Sequence, residues 1–187
     1  IEKNRTAPLE QCVDNFYRSC VGYCVASYVL GLADRHNDNL MIDKSGHFLH
    51  IDFAHFLGNK LKVAGVIDRE PAPFVLTPSM VYVFAGEPRT ERYERKYKEF
   101  CDLCVKAYHI LRQNATLIVS FFTNMISCKL SQLSSIKDAE YLFTSLQIGE
   151  EDDVSDKHFV GLINTSLHTE DTNYNFFIHS VVQKAKQ

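Results

Sequence analysis

The sequence predicts an α+β fold that is mostly α-helical, and three observations carry that expectation. Apolar residues recur at helical spacing over Val13, Phe16, Tyr17, Cys20, Cys24 and Tyr28, and again over Phe100, Leu103, Cys104, Ala107, Tyr108 and Leu111. Between these stretches lie two short β-prone runs, "NLMI" and "HFLHIDF", joined by "DKSG". Asp43 and Gly46 are turn residues, so the pair reads as a β-hairpin. Finally, 187 residues with 45% hydrophobic and 23% charged side chains suit one ordinary domain, or a large piece of one, with a substantial core.

Taken in order, the first helix runs from about Leu9 to Gly31, where glycine suits the C-cap. The hairpin follows. Residues Ala54 to Pro73 show no sustained periodicity, and with Gly58, Gly65, Pro71 and Pro73 they read as an ordered but mobile loop of a length that is usually functional. Thr77 as N-cap and Pro78 as first helical residue open a short helix that ends near Gly86. "ATLIVSFFTNMISC" is apolar nearly all round and is expected to be buried. Further helices fit about Ser135–Leu146, Asp153–Leu167 and Thr172–Lys186. The last carries an apolar stripe of Tyr174, Phe177, Ile178, Val181 and Val182, which suits either packing on the domain or facing a membrane.

A formal net charge of −3 gives no global field to hold nucleic acid, so an anionic partner needs a local patch. No apolar run approaches the roughly 20 residues that span a bilayer. The start, "IEKNRTAPLE", has neither an initiator Met nor a signal-peptide core and reads as cut from something longer. Six cysteines raise the question of disulfides or zinc. Cys20 with Cys24, and Cys101 with Cys104, fall on helix faces rather than on the turns that supply zinc ligands, so they are expected as buried thiols in a reducing, cytosolic setting.

The polar residues beside the hairpin carry the chemistry. Asn39 follows Asp34 by five residues, and Asp52 follows in "HIDF". Asp-x-x-x-x-Asn is the spacing of the kinase catalytic loop, where the Asp meets the substrate hydroxyl and the Asn holds magnesium. Two hard oxygen ligands from two strand ends suit that ion. His36 titrates near neutral pH and suits proton removal from an attacking alcohol, with Asp34 orienting the imidazole or meeting the hydroxyl itself. His55 is placed to set positive charge near a transferring phosphoryl group. His47 is expected to face solvent and His50 to be a hydrogen-bonded core residue. Asp34 and Asn39 taken singly are ordinary loop residues; it is the combination that points to function. A metal-dependent hydrolase using His36, His50, Asp34 and Asp52 is the competing reading, and it needs those four to converge. Strand alternation instead sends His50 and Asp52 to one face and Ile51 to the other.

"GLADRHNDNLMI" resembles the catalytic loop of the phosphoinositide 3-kinases, "HIDFAHFLG" the start of their activation loop and "APFVLT" its close. The likeness continues through "FCDLCVKAYHILRQNATLIVSFFTNMISC" to "NYNFFIHSVVQ". It implies the C-terminal lobe of a protein-kinase-like fold over residues 1–187, with the hairpin bearing the catalytic loop and magnesium site and the N-terminal lobe absent. By resemblance Asp34, His36 and His55 serve catalysis, Arg35 has a structural or charge-positioning role, and Asn39 and Asp52 hold the metal. The implied cofactors are ATP and Mg2+, or Mn2+ in its place. The implied partners are a phosphoinositide lipid at a membrane surface and the missing lobe and other domains of a longer enzyme. A cytoplasmic enzyme recruited peripherally to plasma membrane or endosomes is expected. "SCVGYCVASYVLGLADRHNDN" and "NFFIHSVVQ" resemble the class II enzymes, whereas "DFAHFLG" has the histidine typical of class I.

Two departures from the family pattern bear on activity. Ala54 stands where glycine is usual, and a Cβ there restricts positive φ. In place of a basic cluster the activation loop has "VIDREPAPF". Lys60, Lys62 and Arg69 are offset by Asp68 and Glu70, a surplus of one positive charge, which favours phosphatidylinositol or its 4-phosphate over the bisphosphate. No strand lysine or phosphate-covering loop precedes the first helix. The chain alone is therefore expected to lack lipid kinase activity and to expose an apolar face where the other lobe would dock. A related large Ser/Thr protein kinase and a catalytically inactive scaffold of the same fold remain as alternatives.

Overall fold

A computed structural model describes residues 6–60, 72–128, 130 and 132–169, together with the backbone of 62–63 and 67–68. The architecture is α+β and mostly helical, with a small antiparallel hairpin. Helix α1, Leu9–Leu30, is the central element, burying Phe16, Cys20, Val21, Cys24, Val25 and Val29 along one face. It stops at Gly31, which takes the left-handed φ of 58° and lets the Gly31 and Leu32 amides close the last turn on Tyr28 and Ser27.

Strands β1 (Leu40–Ile42) and β2 (Phe48–His50) pair antiparallel, with Leu40 opposite His50 and Ile42 opposite Phe48. The turn between them is organised by Asp43, whose carboxylate accepts from the Ser45 amide at 2.9 Å and the His47 amide at 2.8 Å. His47 is exposed, as expected for a residue at the hairpin end. The hairpin docks on α1 through Phe48, whose amide donates to Ser19 Oγ at 2.8 Å and whose ring meets Phe16 edge-on. A phenylalanine buried this way contributes about 1.5–3 kcal/mol.

Helix α2 (Pro78–Ala85) starts as read from the sequence, Thr77 Oγ1 accepting from the Met80 amide at 3.3 Å and Pro78 in the first turn. Helix α3 (Glu91–Gln113) packs along α1 and is capped by Thr90. Helices α4 (Ala115–Met125), α5 (Glu140–Ser145) and α6 (Asp152–His168) complete the lobe, α5 being preceded by a 3-10 turn over Ile136–Ala139. Tyr108 of α3 stacks on Phe159 of α6 at 4.6 Å, fixing those two helices together.

Several expectations are corrected. The strand read over "HFLHIDF" ends at His50, and Asp52 leaves it at φ 59°, so His50 and Asp52 do not share a strand face. The segment after Ala54 contains a short ladder, β3 (Lys62–Val63) with β4 (Ile67–Asp68), that its lack of periodicity concealed. Helix α4 is not buried all round: of its residues only Ala115 is buried. Ile118 and Phe122 pack inward, while Leu117, Phe121 and Met125 form an exposed stripe. Apolar composition does not show which side of a peripheral helix has a neighbour. Five cysteines are buried and unpaired as expected, but Cys128 is exposed. Burial holds the Cys20, Cys24 and Cys104 thiols well above their ordinary range, so they behave as small apolar groups. The helix read over Thr172–Lys186 lies outside the described residues.

Candidate active site

The segment from Gly31 leaves α1 as irregular chain and ends in a 3-10 turn, Asn37–Asn39, that leads directly into β1. Asp34 sits at φ 60°, a left-handed conformation uncommon outside glycine, and this turns its carboxylate back toward His36. Asp34 Oδ2 lies 3.7 Å from His36 Nε2. Asn39 is buried; its Nδ2 donates to the Asp34 carbonyl at 2.7 Å and lies 3.2 Å from His36 Nε2. With the amide nitrogen so placed, Oδ1 is the oxygen Asn39 offers to a cation.

His36 has two neutral forms, each matched on one side. Its Nδ1 accepts from the Asp38 amide at 3.3 Å when the ring proton is on Nε2, facing Asp34. With the proton on Nδ1 the Nε2 lone pair takes the Asn39 amide instead.

Arg35 ties this loop to the strand end. Buried to 5% exposure, it donates from Nε to the Ala33 carbonyl at 2.9 Å, from Nη1 to the Ile51 carbonyl at 2.8 Å and from Nη2 to the Asp52 carbonyl, and lies over the Phe53 ring. The Ile51 amide in turn donates to the Asn39 carbonyl at 3.0 Å. Asp52 is thus held by its backbone, with its side chain exposed except for a 3.2 Å contact from the Ala54 amide to Oδ1. Ala54 is absent from the positive-φ residues, so its Cβ adds no strain where it stands. Ile51 and Phe53, the chain neighbours of Asp52, are exposed, as is Met41 on the facing strand.

His50 behaves differently from the other histidines. It is 4% exposed, stacks on Tyr23 at 4.4 Å and meets Phe48 edge-on. Nδ1 reaches Ser27 Oγ at 3.5 Å, but Nε2 has no hydrogen-bond partner, so the expected fully bonded core histidine is only half satisfied. Burial pushes its pKa from 6.5 down to about 3, with Arg35 adding repulsion. A ring committed to the core cannot join a metal, and among the described residues no three His, Cys, Asp or Glu side chains converge as a ligand set. The hydrolase reading loses its ligands.

His55 is half-buried and enters the cluster through its backbone: its carbonyl accepts from the Ala33 amide at 3.0 Å, next to Asp34. Its neighbours are gripped by Gln132, which sequence reasoning missed. Gln132 Oε1 accepts from the Phe56 amide at 2.8 Å, Nε2 donates to the Ala54 carbonyl, and Nε2 lies 3.4 Å from His55 Nδ1. Nothing in the local sequence marks it, since it sits in an irregular stretch with no motif. Further on, the Leu57 amide donates to the Leu30 carbonyl at 2.7 Å and the Gly58 amide to the Gly31 carbonyl at 3.2 Å, seating the loop on the end of α1. Of the headgroup candidates, Lys60 is half-buried, the backbone register sets Lys62 opposite Asp68, and Arg69 lies outside the described residues.

Among the described residues no helix is long and apolar enough to cross a membrane. Residues 2–135 match the family model described as phosphatidylinositol 3- and 4-kinase. The chain is 46% identical over 170 residues to phosphatidylinositol 3-kinase 1 of Dictyostelium discoideum, covering 91% of this chain and 10% of that protein. It is 40% identical over 174 residues to the human phosphatidylinositol 4-phosphate 3-kinase C2 domain-containing subunit beta, covering 93% of this chain and 10% of that one. Phosphatidylinositol 3-kinase 3 of Dictyostelium discoideum is 43% identical over 175 residues, 94% of this chain and again 10% of the relative. The chain therefore spans about a tenth of the length of these relatives. Similarity of this extent, running through the loop of Asp34, His36 and Asn39 and through Asp52, makes the chain a member of the phosphatidylinositol 3- and 4-kinase family.

Proposed function

We propose that the protein carrying this chain transfers the γ-phosphoryl group of ATP to the inositol 3-hydroxyl of phosphatidylinositol or phosphatidylinositol 4-phosphate. The observation that carries the reading is the loop in which Asn39 bonds to the Asp34 carbonyl and to His36, with the Asp34 carboxylate 3.7 Å from the His36 ring and Asp52 held across from it by Arg35. Asp34 and His36 meet the lipid hydroxyl and take its proton. Asn39 Oδ1 and the Asp52 carboxylate are the hard oxygens that suit Mg2+ or Mn2+, which keep waters and phosphate oxygens in their remaining positions. When bound, the ion neutralises charge on the phosphates. Arg35 acts through the main chain, fixing the distance between the two oxygen donors. His55 faces the transferring group. Residues 1–187 form most of the C-terminal lobe, and the exposed Met41, Ile51 and Phe53 are where nucleotide and an upstream lobe would close.

The substrate preference rests on the activation loop. Lys60, Lys62 and Arg69 are the headgroup contacts, and Asp68 and Glu70 in the same stretch of sequence offset their charge to a surplus of one. The class II side of the resemblance favours the 4-phosphate, the substrate that the human relative's name gives for that protein. The enzyme would work at the cytoplasmic surface of plasma membrane or endosomes, recruited peripherally.

The test is a lipid panel on the full-length protein, with Asp52→Asn beside it. Phosphorylation of phosphatidylinositol or its 4-phosphate at the 3-position, lost in the variant, is expected. Preference for the 4,5-bisphosphate would overturn the substrate assignment. Unchanged cellular function in Asp52→Asn would favour the scaffold. The isolated 187-residue chain should show neither turnover nor tight ATP binding.

A further inference from the structure

Gln132 lies 77 residues from His55 in sequence yet touches the residue before it, the residue after it and its ring. An amide side chain can be turned over, exchanging its oxygen and nitrogen, and only its surroundings decide which way it sits. Here two backbone groups decide. The Phe56 N–H can only donate, so the atom facing it at 2.8 Å is the amide oxygen. The Ala54 carbonyl can only accept, so the atom facing it is the nitrogen. Turning the amide over would set N–H against N–H and oxygen against oxygen. Its second N–H therefore points at His55 Nδ1, 3.4 Å away.

A histidine nitrogen that receives a hydrogen bond carries a lone pair, so the proton of the neutral ring is on the other nitrogen. From this geometry we infer that Gln132 is a positioning residue that holds His55 as its neutral Nε2–H tautomer. His55 then meets the transferring phosphoryl group as a hydrogen-bond donor at Nε2. The main chain around His55 is held as well. Its carbonyl is bonded to the Ala33 amide at 3.0 Å, and the peptides on both sides are held by Gln132 itself. The same clamp fixes the first turn of the activation loop against Ala33, next to Asp34, so it sets the donor's position as well as its protonation. The catalytic consequence rests on the kinase function proposed above; the tautomer does not.

The experiment uses the full-length protein with 15N-labelled histidine, His55→Gln serving to assign the resonances. In the wild type, Nδ1 of His55 is expected to show the signature of an unprotonated imidazole nitrogen and Nε2 that of a protonated one. Gln132→Glu keeps an acceptor for Phe56 but sets a carboxylate oxygen against the Ala54 carbonyl and the ring, so it loses the Ala54 bond and should move the proton to Nδ1. Gln132→Leu keeps the volume and removes all three contacts. Both variants should lower kcat about 10- to 100-fold, the usual cost of losing an outer-shell orienting group. Values of KM for ATP and lipid should stay within about twofold, because neither substrate touches Gln132. Hydrogen exchange should show the Phe56 amide protected in wild type and Gln132→Glu and exposed in Gln132→Leu. A wild-type His55 protonated at Nδ1, no change of tautomer in Gln132→Glu, or full kcat in both variants would each overturn the inference. A wild type that phosphorylates no lipid would defeat the kinase reading alone, since the nitrogen spectra still decide the tautomer.

Discussion

Arg35 donates from Nη1 to the main-chain carbonyl of Ile51 across 2.8 Å, joining the loop that carries Asp34 to the strand end that carries Asp52. The guanidinium also reaches the carbonyls of Ala33 and Asp52, so a single buried side chain bridges three backbone positions. A planar fork can do this where an ammonium cannot. In the kinase proposed above, the spacing of the Asn39 and Asp52 oxygens then depends on a residue that touches neither metal nor substrate.

Arg35→Lys keeps the charge and loses the fork. Its turnover should fall about 10- to 100-fold, as for other outer-shell supports of metal ligands. The unsatisfied carbonyls should destabilise the domain by about 1–3 kcal/mol. Steady-state kinetics and denaturant unfolding of the catalytic domain measure the two effects. Wild-type turnover in Arg35→Lys would show that the bridge is dispensable.

Gly58 is packed face-on against Tyr141. A Cβ added at Gly58 would lie 2.5 Å from Tyr141 Cδ2, and its φ of 73° is one that side-chain-bearing residues rarely adopt. Tyr141 cannot move aside cheaply, because its hydroxyl donates to the Tyr28 carbonyl at 2.7 Å and its ring also covers Gly31. Gly58→Ala should cost about 1–2 kcal/mol from backbone conformation alone, with the collision in addition. In a Tyr141→Ala background the collision is gone, so the same substitution should cost less. Equal costs in both backgrounds, measured by thermal unfolding, would mean that the ring contact does not matter.

The helices and hairpin were legible because local patterns determine them: Gly31 as C-cap, Thr77-Pro78 as a helix start, and Asp43 and Gly46 as a turn all fall where the chain uses them. Asp34, His36 and Asn39 were legible as candidates because their spacing is short enough for one loop to bring them together. Gln132 was not, since its contacts with Ala54 and Phe56 join positions more than 70 residues apart and arise only in the folded chain. The same limit applies to Leu117, Phe121 and Met125, whose exposure depends on where the lobe ends. Asp52 lies past the strand end, at φ 59° with its carbonyl bonded to Arg35, a long-range contact that strand alternation in the local sequence does not show.

His50 makes stability depend on pH. In the folded protein its pKa is about 3, pushed down from 6.5 by burial and secondarily by Arg35. Between those two values the unfolded chain binds a proton at this position and the folded one does not. Protonation therefore favours unfolding, and stability rises with pH across the window. The contribution is fully present above about 6.5 and is lost progressively as the pH falls toward 3. His50→Phe keeps an aromatic ring for Tyr23 and Phe48, removes the unpartnered Nε2 and cannot take up a proton. Thermal unfolding of the full-length protein should show the wild-type midpoint falling more steeply than that of His50→Phe as the buffer is taken from pH 7 toward pH 4. Parallel curves for the two proteins would place the acid sensitivity elsewhere.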